Sequence, residues 1–131
     1  MKNIIFKLLK YSYYFSLLIL FVLYLFPGSL IGYLLYGNLG QQPDLISNPI
    51  GTSINHLIFF FYLTTLGLVA RLKYQNFLNS FTFLFSLSIL FELAHWLIPN
   101  RAFEYYDLFA NSIGVATAYL LINIFFKLKI K

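Results

Sequence analysis

Apolar residues fill four long stretches of the chain, and polar and charged residues gather between them. A helix rising 1.5 Å per residue needs about 20 residues to cross roughly 30 Å of hydrocarbon, so each stretch is predicted to be a transmembrane helix. The predicted spans are 8–26, closed by Pro27-Gly28-Ser29, then 54–70, 77–98 and 107–126. The second is short, at 17 residues, a length met by little tilt or by local thinning of the bilayer. Residues 37–53 are rich in Gly, Pro, Asn, Gln and Ser and read as an extracytoplasmic loop. Residues 29–36 are too apolar for a free loop and too short to cross. They are expected at the membrane interface, with Tyr33 and Tyr36 at headgroup level.

Composition points to the same solvent. Of the 131 residues, 60% are hydrophobic and 10% charged, against roughly 45–50% and about 25% in soluble domains. A single water-soluble domain of this size would have to expose large contiguous apolar patches. The expectation is therefore an all-α, polytopic membrane protein forming one domain over residues 1–131. With no Cys and two His, disulfides and thiolate sites are excluded, the imidazoles alone cannot complete a tetrahedral site, and no metal or other cofactor is called for.

The net charge of +5 matters through its placement. Lys2, Lys7 and Lys10 precede the first span, Arg71 and Lys73 lie between the second and third, and Lys127, Lys129 and Lys131 follow the fourth. Four spans put these three segments on one side, and the positive-inside rule makes that side cytoplasmic, N-in and C-in. The opposite loops hold Arg101 with Asp44 and Glu104. Nothing further points to nucleic acid. The first span has a basic start like a signal peptide but lacks a small-x-small cleavage site, so it is expected to stay.

Lipid tolerates apolar residues everywhere, so the informative positions are the ionisable ones at membrane depth. Glu92 lies about 9 Å inside the outer end of the third span. His95 at i+3 and Ser88 at i−4 share its face. His56 opens the second span at the same level, and Asp107 and Asn111 lie one turn apart on the fourth, with Arg101 in the preceding turn. These six residues, His56, Glu92, His95, Arg101, Asp107 and Asn111, form the candidate binding site. Glu92 and His95 are the candidates for acid–base work. Simpler roles are open for each: Asp107 as a helix cap, Asn111 as an interhelical hydrogen bond, His56 as an interfacial residue, Glu92 as the ion-pair partner of Arg101, Trp96 and the tyrosines as a belt. Ala110, Gly114 and Ala118 form a small-xxx-small face for close helix packing. No Ser or Cys stands convincingly beside a base, which argues against covalent catalysis and leans the reading away from an enzyme.

The stretch from Glu92 to Gly114 resembles the signature of VanZ-like membrane proteins. That family shows Glu, then Gln three residues on, then Pro-Gly-Arg, Asp six after the Arg, Asn four later and Gly three beyond. Glu92, Pro99, Arg101, Asp107, Asn111 and Gly114 match in register over residues 92–114, within a resemblance covering about 50–120. Three positions depart: His95 stands for the usual Gln, Asn100 for the usual Gly, and Thr52-Ser53 for an Asp-Lys pair ahead of His56. The resemblance implies a small integral protein of the bacterial inner membrane, of a family named for teicoplanin resistance and without a settled reaction.

Two functions remain open. One is an envelope protein whose outward polar site binds or processes a lipid-linked or glycopeptide-like amphiphile. The other is a non-catalytic accessory subunit of a larger membrane protein complex, its 21% aromatic content serving helix packing and lipid contact. An ion conductor is disfavoured, because the inner halves of the spans offer only hydroxyls such as Thr64, Thr65, Ser80, Thr82 and Thr117.

Overall fold

The computed structural model describes residues 2–43 and 53–129. All regular structure among them is helical: α1 Lys2–Leu25, α2 Leu30–Tyr36, α3 Ser53–Arg71, α4 Phe81–Ala94 and α5 Tyr105–Lys129, with a 3-10 turn Phe77–Asn79 before α4. Asp44, Thr52 and most of the predicted 37–53 loop lie outside the described residues.

Local chemistry sets the boundaries. Pro27 disfavours helical backbone at Phe26 and ends α1. Ser29 caps α2, its hydroxyl accepting the Gly32 N–H at 2.9 Å, and Gly37 closes that helix with φ 67°, where a side chain would be strained. Thus 29–36 is a capping serine followed by a helix of about two turns, with Tyr33, Leu34, Leu35 and Tyr36 exposed.

Within the predicted 77–98 span the α-helix covers Phe81–Ala94. It has only 14 residues, about 21 Å by rise. Ser80 ends the 3-10 turn and starts α4, accepting the Phe83 N–H at 3.2 Å. At the other end the N–H groups of His95, Trp96 and Leu97 bond three residues back, a tightened final turn leading to Pro99. Among the described residues three helices, α1, α3 and α5, are long and apolar enough to cross a membrane.

Packing arranges the four longer helices with alternating direction. Near the start of α1, Asn3 accepts from Lys73, just past the end of α3, and midway along α1 Tyr13 donates to the Leu78 carbonyl, its ring met by Gly67, late in α3. Phe81, opening α4, contacts Tyr119 in the second half of α5 at 4.3 Å between centroids. The start of α1 and the end of α5 therefore share one end of the bundle. The core runs along Tyr13, Leu17, Leu20 and Tyr24 of α1, Phe60 and Leu63 of α3, Leu84, Leu87 and Phe91 of α4, and Val115 of α5. Their spacing on α1 follows one helical face.

α3 and α5 approach closely at Gly114. A Cβ there would lie 2.5 Å from the Leu57 carbonyl oxygen and 3.1 Å from the Phe61 nitrogen. Ala110 and Ala118, one turn to either side, are buried on the same face, so small residues let the two backbones touch. That contact fixes Asp107 of α5 against Ser53 and His56 in the first turns of α3.

Candidate functional site

At the end of the bundle away from Lys7, Lys10, Arg71 and Lys73, α1 and α4 finish while α3 and α5 begin, so polar groups from four helices meet at one level. Glu92 and Asn111 are 0% exposed, His95 3%, Asp107 5% and His56 8%. His56 Nε2 lies 3.5 Å from Asp107 Oδ2, and Ser53, opening α3, donates its hydroxyl to Asp107 Oδ1. Asp107 thus bonds across to α3, and Ser53 is a serine beside an acid that the sequence reading passed over.

Asn111 gives the network a direction. Its Nδ2 donates to the Ser88 carbonyl at 3.3 Å, which turns its Oδ1 toward the Tyr24 hydroxyl at 2.9 Å. Tyr24 has one proton, and it goes to Asn111. The Tyr24 oxygen must then accept from His56 Nδ1, 2.8 Å away. A neutral His56 therefore carries its proton on Nδ1 and turns the Nε2 lone pair toward Asp107.

Glu92 sits under the start of α5. Its Oε1 accepts the backbone N–H of Glu104 at 3.0 Å and faces His95 Nδ1 at 3.3 Å, a favourable place for a carboxylate because helix N-termini carry free N–H groups and partial positive charge. Its Oε2 is buried without a hydrogen-bond partner, as is His95 Nε2. One donor atom each from His56, Glu92 and Asp107 lies within 4.8 Å of the others. Counting imidazoles and thiolates hid this mixed set in the sequence.

Arg101 does not pair with Glu92. Its Nη2 donates to the Leu23 carbonyl at 2.6 Å and its Nε to that of Phe26 at 3.4 Å, holding the 95–104 turn to the end of α1, where free carbonyls and the helix dipole favour a cation. Burial pushes its guanidinium below the usual value, and the nearby Glu92 and Asp107 carboxylates oppose that shift. Glu104 moves upward, first by burial and then through Asp107 and Glu92.

Tyr24 is the central residue that sequence reasoning missed. Its hydroxyl joins His56 to Asn111, and its ring stacks on Phe91 at 5.2 Å and His95 at 5.5 Å. Beside it opens a cavity of about 120 Å³, walled by Leu20, Leu23, Leu30 and Ile31 and bordered by His56, His95 and Arg101. Glu92, Asp107 and Asn111 lie behind that wall rather than on it.

A helical membrane protein with a buried polar cluster at one end is the class these features define. The VanZ/LLP1 family model matches residues 13–126, and the chain belongs to that family. The match extends the 50–120 resemblance to include most of α1, and with it Tyr24. Comparison with curated proteins and with solved structures gave no match.

Two family positions gain a physical reading here. Asn100, where the family has Gly, has φ 57°, and Asn is the side chain best tolerated there after Gly. Ser53, in place of the charged pair ahead of His56, supplies a bond to Asp107.

Proposed function

We propose that the protein binds an amphiphile of the bacterial envelope in an outward-facing site, with four crossings of the cytoplasmic membrane and both termini inside. The observation that carries the reading is the cavity itself, apolar on the α1 and α2 side and polar at His56, His95 and Arg101. An acyl or polyprenyl chain fits against Leu20, Leu30 and Ile31. An anionic head group, such as a phosphate or carboxylate, pairs with Arg101, whose remaining N–H donors are free to turn to it after the α1 carbonyls are served.

Orientation rests on charge and aromatic placement. Lys7, Lys10, Arg71, Lys73 and Lys127 belong to the end opposite the cluster, which the positive-inside rule puts in the cytoplasm. Trp96, Tyr105 and Tyr106 are exposed at the cluster end, where an aromatic belt would sit. In this arrangement α4 is the short fourth crossing, extended by the 3-10 turn below it and the 95–98 turn above.

The accessory-subunit reading draws on a different surface, the exposed row Leu8, Tyr11, Phe15 and Leu18 along α1, which suits a partner helix as well as lipid. Mass spectrometry of the protein released from native membrane separates the two. Binding predicts a defined lipid species retained by the wild type and lost by folded Arg101→Gln and Glu92→Gln. A stoichiometric protein partner with no such lipid supports the subunit.

A further inference from the structure

The cluster behind the cavity wall has a charge problem. Glu92 and Asp107 are two buried carboxylates near one another, and two such groups taken out of water call for a positive charge between them. Arg101 is turned to the carbonyls of α1. His56 could be that charge only if doubly protonated.

The hydrogen-bond directions leave a gap of one kind. His56 Nδ1–H is committed to Tyr24, so Nε2 presents a lone pair to the Asp107 oxygen 3.5 Å away. Glu92 Oε2, in a residue with 0% exposure, has no partner. The other atom of each ligating group is held: Asp107 Oδ1 by Ser53, Glu92 Oε1 by the Glu104 N–H, His56 Nδ1 by Tyr24 and through it Asn111. Metal centres have this second layer, a partner on the far side of each ligand that fixes its tautomer and direction.

We propose that His56, Glu92 and Asp107 bind a divalent transition-metal ion of the zinc or manganese type. One imidazole with two carboxylates suits such ions, and a dication with two carboxylates is neutral, as a group at membrane depth needs to be. Three protein donors leave a coordination position open. His56, which also borders the cavity, joins that position to the site above. The ion site does not depend on which amphiphile the cavity takes, or on its taking one.

The test uses the full chain in detergent, stripped with a chelator and titrated with Zn²⁺ or Mn²⁺ alone, reading bound metal by elemental analysis and thermal stability in parallel. The wild type should take up about one equivalent and melt higher when loaded. His56→Phe and Asp107→Asn should lose both effects. Tyr24→Phe, which keeps all three donors, should weaken binding by roughly 10–100-fold, and Tyr14→Phe, which loses only an exposed contact to Asn76, should bind like the wild type. A stripped wild type that takes up neither metal and melts unchanged overturns the proposal, whatever the variants do. Undiminished uptake by both His56→Phe and Asp107→Asn overturns the assignment of these three donors.

Discussion

The Tyr24 hydroxyl, on the last turn of α1, lies 2.8 Å from Nδ1 of His56 on the first turns of α3. This bond joins α1 to the polar cluster and, through Asn111, sets the tautomer of the imidazole. Tyr24→Phe keeps the ring stacking and leaves the His56 N–H and the Asn111 carbonyl oxygen unpaired in a buried place, which costs about 1–3 kcal/mol. Tyr14→Phe, which loses only an exposed contact to Asn76, should be close to neutral. Thermal unfolding of both in one detergent checks the difference.

Gly114 is where α5 and α3 touch through their backbones. Gly114→Val forces the helices apart at Leu57, and overpacking of this kind costs about 1–3 kcal/mol. Because the same contact positions Asp107 and Asn111, the variant should also lose ligand retention. Thr117→Val, on the exposed face of α5, is the control that should melt unchanged.

Asn100 tests a left-handed position held by a residue other than glycine. Asn100→Gly should be neutral or slightly stabilising in the thermal melt, while Asn100→Val should lower stability by about 1–2 kcal/mol and loosen the turn that carries Arg101.

Glu104 gives the pH dependence a sign. Burial, followed by the Asp107 and Glu92 carboxylates, raises its pKa in the folded protein, so the folded state binds its proton more tightly than the unfolded chain does. Stability is then lost as pH climbs from the ordinary carboxylate value through the raised one. Melting curves of Glu104→Gln and wild type should coincide below that window and separate above it, the variant being the more stable. The gap should be small, since the Glu104 side chain is largely in solvent.

The absence of cysteine makes topology directly measurable. Leu97→Cys, at a position 88% exposed on the cluster end, should react with an impermeant maleimide in intact cells. Lys127→Cys should react only after permeabilisation.

Much of the architecture can be read from hydropathy and spacing, because a helix fixes the face and depth of each residue. Glu92 and His95 at i+3, and Asp107 and Asn111 at i+4, have their level written in the numbering. The neighbours do not. Tyr24 is one of 11 tyrosines, and nothing in hydropathy separates a phenol turned into the bundle from one in the interfacial belt. Arg101 finds backbone carbonyls at the end of α1, acceptors that no inventory of side chains contains. The brevity of α4 was hidden because Ser80, a single capping hydroxyl, barely changes the hydropathy of its surroundings. The three-donor group escaped notice since it mixes one imidazole with two carboxylates from three helices.

The central claim is that the cavity and the polar groups beside it form one amphiphile site. Leu30→Trp fills the cavity from α2 and touches none of the polar residues, whereas Arg101→Gln removes the head-group cation and leaves the apolar wall intact. Lipid mass spectrometry on the two folded variants beside wild type is the most direct test. A single amphiphile site requires that the same retained species disappear from both. Retention of that species by Leu30→Trp, or an identical lipid profile in all three proteins, would contradict it.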